Sequence, residues 1–127
     1  MFDRLSVYAP QALAVLRIVA ALLFIEHGTQ KLFGFPVPAQ AMAGQETLML
    51  VAGLLEVIGG LLILVGFFTR IAAFVLCGMM AVAYWMVHVG MGGFWPVANM
   101  GDAAILFCFV FGYLVFAGPG DWSVNKK

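Results

Sequence analysis

The sequence predicts an all-α integral membrane protein, a four-helix bundle forming a single domain over residues 1–127. Three observations lead there. The chain is 65% hydrophobic and only 9% charged, where soluble domains average about 45–50% apolar and about 25% charged. Its mean hydropathy is +1.08. Its apolar stretches fall into four runs separated by loops rich in glycine and proline. The formal net charge is zero, and no basic patch suggests a nucleic-acid partner.

Residues 1–11, MFDRLSVYAPQ, read as a short lead. No small-residue cleavage site follows an apolar core, so this segment is expected to stay in the mature protein. Pro10 suits a helix start. The first helix is expected over about 11–33, long enough to span, since roughly 20 residues cross the hydrocarbon. Its inward stripe is expected to run Leu13, Arg17, Ala20, Phe24, His27 and Lys31, with Glu26 and Gln30 to one side. Pro36 and Pro38 break the chain into a loop at 34–47 after a capping Gly34. The second helix is expected over about 48–67, with Met49, Gly53, Glu56, Gly60 and Ile63 as its seam. Its small residues permit close helix approach. A tight turn leads to a third helix over about 70–89, with an expected seam of Arg70, Phe74, Cys77, Ala81, Tyr84 and His88. A loop at 90–100 carries Gly90, Gly92, Gly93 and Pro96. The fourth helix is expected over about 102–117 and ends at Gly118-Pro119-Gly120.

Arg4, Arg70, Lys126 and Lys127 all fall on one side of these spans, and the two longer loops hold no lysine or arginine. By the positive-inside rule both termini and the turn between the second and third helices are cytoplasmic. A rise of about 1.5 Å per residue then places Glu26, His27, Lys31, Glu56, His88 and Asp102 together in the outer half of the bundle. Arg17 lies lower, with Glu56 as its expected partner. Lys31 is expected to pair with Glu26 or Asp102. Ionisable groups at these depths cost about 2.5–3.5 kcal/mol each unless they face protein or water, which marks them as candidate functional groups.

The ordered set Leu16-Arg17, Glu26-His27-Gly28, Lys31-Leu32, Leu55-Glu56 with Gly59-Gly60, Gly66 with Thr69-Arg70, His88-Val89, Asn99-Met100-Gly101-Asp102 and Gly118-Pro119-Gly120-Asp121-Trp122-Ser123 resembles the DoxX family of small bacterial membrane proteins. The likeness covers nearly the whole chain, with Asp102 standing where many relatives carry glutamate. It implies a multi-pass protein of the bacterial inner membrane. It also implies a link to redox chemistry, since family members are described as oxidoreductase components and one is part of a thiosulfate:quinone oxidoreductase. Many members have no assigned activity.

Two functions follow as expectations. In the first, the chain is a quinone-facing subunit of a membrane oxidoreductase, working with other membrane or redox proteins. His27 and His88 exchange protons, Glu56 and Glu26 tune or accept them, and Arg17, Lys31, Tyr84 and Asp102 hold the ligand. In the second, it is a non-catalytic accessory subunit whose buried charges only fix helix register. A metal centre is not assigned, because Lys31 would repel a cation and no compact ligand motif is present. No haem attachment motif, nucleotide loop or iron–sulfur spacing occurs, and the cofactor is left open, a quinone being what the resemblance implies. Cys77 and Cys108 are read as buried free thiols, with no support for a disulfide between them.

Overall fold

The computed structural model describes residues 1–40 and 43–127. Ala41 and Met42, within the expected loop at 34–47, lie outside the described residues. The described chain is all-helical. A 3₁₀ segment, Phe2–Tyr8, leads into α1, Ala9–Phe33. Then follow α2, Glu46–Val65, and α3, Thr69–Ala83. The third rod continues through a π-helical turn, Tyr84–His88, into α4, Val89–Gly92. A short α5, Pro96–Asn99, precedes α6, Asp102–Ala117. Among the described residues, three rods are long and apolar enough to cross a membrane: Phe2–Phe33, Glu46–Val65 and Thr69–Gly92. Asp102–Ala117 is apolar but shorter.

The helix ends follow local chemistry. Pro10 sits in the first turn of α1, where a missing N–H costs nothing. Gly34 ends the helix at φ +68°, its N–H bonded to the Gln30 carbonyl at 3.2 Å. Gly66 ends α2 in the same left-handed conformation, at φ +71°. Asp102 lies in the first turn of α6, where a carboxylate meets the positive end of the helix dipole.

The bundle is two antiparallel pairs. α1 packs along α2, and α3 packs along α6. Small residues set the first pair. Gly28 on α1 faces the backbone of α2: an added Cβ would lie 3.0 Å from the Gly53 carbonyl oxygen and 2.7 Å from Val57 Cγ2. Between lipid-exposed helices, packing of this kind replaces the hydrophobic drive available in water. Gly28→Ala is therefore expected to lower stability by about 1–3 kcal/mol through overpacking. Gly78→Ala, with nothing within 4 Å of its Cβ position, is expected to be neutral or mildly stabilising, by up to about 1 kcal/mol. Thermal unfolding in detergent compares the two.

The buried faces of α1 and α2 include Arg17, Ala20, Phe24, Gly53, Glu56, Gly60 and Ile63, all on the expected seams. The expected seam of α3 is corrected. Its buried residues are Thr69, Ala72, Ala73, Leu76 and Met80, whereas Arg70 faces outward and Phe74 is 70% exposed. The small alanines let α3 approach its neighbours, and the large Phe74 ring turns toward lipid. Cys77 borders the core and meets Cys108, and Tyr84 continues the buried stripe of Leu76 and Met80; the π turn begins there. An extra residue in one helical turn re-phases the face that follows.

Candidate functional site

The two ends of the bundle hold different polar structures. At one end, the ten residues after α6 fold back over the helices. Arg17, fully buried, donates from Nη1 to the carbonyls of Pro119 and Asp121 (3.1 Å to the latter) and from Nη2 to Trp122 (2.8 Å). Backbone bonds complete the knot: Asp121 N–H to the Pro10 carbonyl, Val124 to Val65, Asn125 to Gly66 and Arg70 to Lys127, all at 3.0–3.1 Å. Arg70 reaches the carbonyls of Val115 and Phe116 at the end of α6. The expected Arg17–Glu56 pair is thus corrected. Both terminal nitrogens of the guanidinium are taken by tail carbonyls, which a planar multi-donor group is shaped to collect, while the buried Nε has no partner.

At the other end, Lys31 on α1 binds Glu56 on α2, with Nζ 2.9 Å from both carboxylate oxygens. Glu56 is 3% exposed. This corrects the expected pairing of Lys31 with Glu26 or Asp102, both of which face outward. The reason is depth and side: Glu56 sits on the packed face of α2 opposite the last turns of α1, while Glu26 projects away from that contact.

Two cavities meet at Glu56. The first, about 170 Å³, is lined by Phe24, His27, Glu56, Met80, His88 and Phe107 among others. The second, about 200 Å³, lies between α2 and α3. It has Lys31, Glu56 and His88 at its polar end and Leu48, Met49, Met79, Val82 and Met86 along its apolar length. Leu48, Val82 and Met86 also face outward, so this cavity opens on the bundle's flank. Of the residues singled out from sequence, the structure gathers His27, Glu56, His88 and Lys31 around these two spaces. Glu26 and Asp102 line neither, and Arg17 is held at the opposite end. Tyr84 is buried, donates to the Phe94 carbonyl, and lines a different crevice. Among the described residues, no three His, Cys, Asp or Glu side chains come together in a group suited to a metal ion.

His88 is placed by its Nδ1, 3.0 Å from the Asn99 carbonyl oxygen. Asn99 was not singled out from sequence, yet it organises the whole connection into α6. Its amide donates to the Gly93 carbonyl at 2.8 Å and to the Tyr84 hydroxyl at 3.3 Å, and its Oδ1 accepts from Gly101 N–H at 2.8 Å. Gly101 must be glycine here, because a Cβ would sit 2.6 Å from the Tyr84 ring. The available signal was an asparagine inside a loop with Gly93, Pro96 and Gly101, where a side-chain amide substitutes for missing backbone partners. Asn99→Ala is expected to leave several buried polar groups unpaired and to cost about 2–3 kcal/mol, and to perturb His88 only as far as the backbone carbonyl at 99 shifts. Thermal unfolding and the imidazole NMR signals check both parts.

Below the first cavity the rings of Phe24, Phe107 and Phe111 pack together, with centroids 4.9–5.8 Å apart. His27 lies edge-on to Phe107 at 6.0 Å. Phe24 and Phe111 are essentially inaccessible, so these rings form a plug between the polar cavity and the Arg17 knot.

Fold and site together define a small polytopic membrane protein with an ion-paired carboxylate at the junction of two cavities. The DoxX family model matches residues 12–89, more than half of the chain, and the chain belongs to the DoxX family. It is 43% identical to an uncharacterized protein of Haemophilus influenzae, covering 98% of this chain and 96% of that one. It is 31% identical to the inner membrane protein YphA of Escherichia coli, covering 93% and 91%. It is 29% identical to an uncharacterized membrane protein of Mycobacterium tuberculosis, covering 93% and 82%. No solved structure matches the chain.

Proposed function

We propose that this chain is the quinone-facing component of a membrane oxidoreductase in the bacterial inner membrane, with both termini cytoplasmic. The observation that carries this reading is the position of Glu56. It is a buried carboxylate, clamped by Lys31, on the wall shared by an apolar cavity that opens on the flank and a histidine-lined cavity bordered by the exposed Met100. The flank cavity has the chemistry of a quinone site, with aliphatic and thioether walls for the ring and tail and charged groups at one end for the oxygens. A bound quinone supplies two-electron, two-proton chemistry. Lys31 holds an oxygen by a charge-assisted hydrogen bond. Glu56 and His88 take or give the protons there, and His27 extends the proton-accepting set across the first cavity. Glu26 and Asp102, outside the cavities, exchange protons with water at the rim. Arg17 has no role in holding ligand at this site, since it lines neither cavity and its terminal nitrogens bind the tail. Electrons pass to or from a partner redox subunit.

The test is binding of a short-chain quinone to the purified protein in lipid nanodiscs. Glu56→Gln and His88→Asn are each expected to weaken it about tenfold or more, the loss of a hydrogen bond to a charged group. Equal affinity in the variants would overturn the assignment. A second reading, an accessory subunit with purely structural charges, is favoured by one observation: Lys31 and Glu56 satisfy each other within the chain. It expects Glu56→Gln to reduce the amount of folded protein while leaving partner activity per assembled complex unchanged.

A further inference from the structure

The sulfur atoms of Cys77, on α3, and Cys108, on α6, lie 3.7 Å apart, and both thiols are free. They sit mid-helix on the two rods that form the second antiparallel pair, so each is held by its own backbone and aimed at the other. Gly112, one turn beyond Cys108, leaves room beside Cys77: a Cβ there would be 3.5 Å from its sulfur. A disulfide is about 2.0 Å long, so closure brings the two sulfurs together by roughly 1.7 Å. Cys108 also lines a crevice of about 430 Å³ whose other walls include Tyr84, Trp85, Phe94, Trp95 and Ile105. Trp85, Phe94 and Trp95 face outward, so the crevice opens on the bundle surface with a thiol at its floor.

We infer that Cys77 and Cys108 form a two-electron dithiol–disulfide couple inside the membrane, facing a lipid-soluble acceptor of the quinone class through the aromatic crevice. In the forward direction the two S–H bonds break and one S–S bond forms. The two electrons and two protons released convert the quinone's two carbonyls to the two hydroxyls of the quinol, so no proton is left over. In reverse, a quinol reduces the disulfide. The thiolate is the attacking species in any exchange, and a crevice reaching Cys108 makes that sulfur the accessible one. The choice of acceptor rests on the quinone reading above, whereas the pairing of the sulfurs stands on their own geometry.

The experiment uses the full chain in nanodiscs, reduced, freed of reductant and then exposed to a short-chain benzoquinone or to diamide. After acid quench and denaturation, thiols are counted with a maleimide reagent and the intact mass is measured. Both reagents are expected to remove both thiols and to lower the mass by two hydrogens. Quinol absorbance should appear in equal molar amount in the quinone arm. Cys77→Ser and Cys108→Ser should each keep their remaining thiol and form no quinol, and their helix content by circular dichroism shows that they fold. Retention of both thiols with either reagent would overturn the pairing. Closure with diamide alone, or a mass increase from quinone addition to a thiol, would overturn the coupling to quinone. Quinone affinity of the Cys77→Ser/Cys108→Ser protein, compared with Glu56→Gln, reports on the Glu56 cavity separately.

Discussion

Replacing Arg17 with methionine is expected to detach the C-terminal segment and to lower stability by about 3–5 kcal/mol, because three carbonyls lose a charged donor and hydrogen bonds to charged groups contribute about 1.5–3 kcal/mol each. The guanidinium is fully buried and serves the carbonyls of Pro119, Asp121 and Trp122. Methionine fills similar space but leaves those acceptors with no donor in an apolar setting, where each unpaired group costs about 1–3 kcal/mol. The release should spread, because the tail also joins α1 at Pro10 and the α2–α3 turn at Val65 and Gly66. Arg17→Lys should recover only part of the loss, since a single ammonium lacks the two separated terminal nitrogens that reach the three carbonyls. Thermal unfolding in detergent gives the stability. Trimming of the terminal lysines by a carboxypeptidase gives the release, and an untrimmed Arg17→Met protein would contradict this account.

Lys31→Met carries the second large effect. It strands the Glu56 carboxylate, 3% exposed, without its cation, again at a cost of about 3–5 kcal/mol. Unlike the tail knot, this pair offers a direct rescue. Adding Glu56→Gln to Lys31→Met removes the uncompensated charge and should return most of the loss. The double-mutant cycle is expected to yield a coupling of about 1–3 kcal/mol. Additive losses would mean that the 2.9 Å contact contributes little to stability. The rescued double variant is also the folded control for ligand studies, because it keeps the fold while lacking both groups proposed to hold the ligand.

The contrast between these two cations shows what a sequence discloses here. Glu56 was legible as a buried group because it shares a four- and three-residue rhythm with Gly53, Gly60 and Ile63, and the same rhythm exposed Arg17, Ala20 and Phe24. Their partners were less so. A search for opposite charges pairs Arg17 with Glu56, but carbonyls stand on every residue and carry no letter, so the tail knot has no sequence signature. The α3 face was misjudged for a related reason. In lipid, outward and inward residues are equally apolar, and the polar markers Arg70 and His88 lie at opposite ends of a rod whose phase changes at the π turn. Asn99, neutral and in a loop, gave no periodicity to read.

The plug formed by Phe24, Phe107 and Phe111 has a consequence of its own. It closes the Glu56 cavities toward the Arg17 knot, while their openings lie beside Leu48, Val82 and Met86 for one and beside Met100 for the other. Water and protons that reach Glu56 therefore meet three packed aromatic rings before the opposite face. The protein in sealed vesicles is expected to carry no proton current under an imposed voltage, which a pH-sensitive dye trapped inside the vesicles checks.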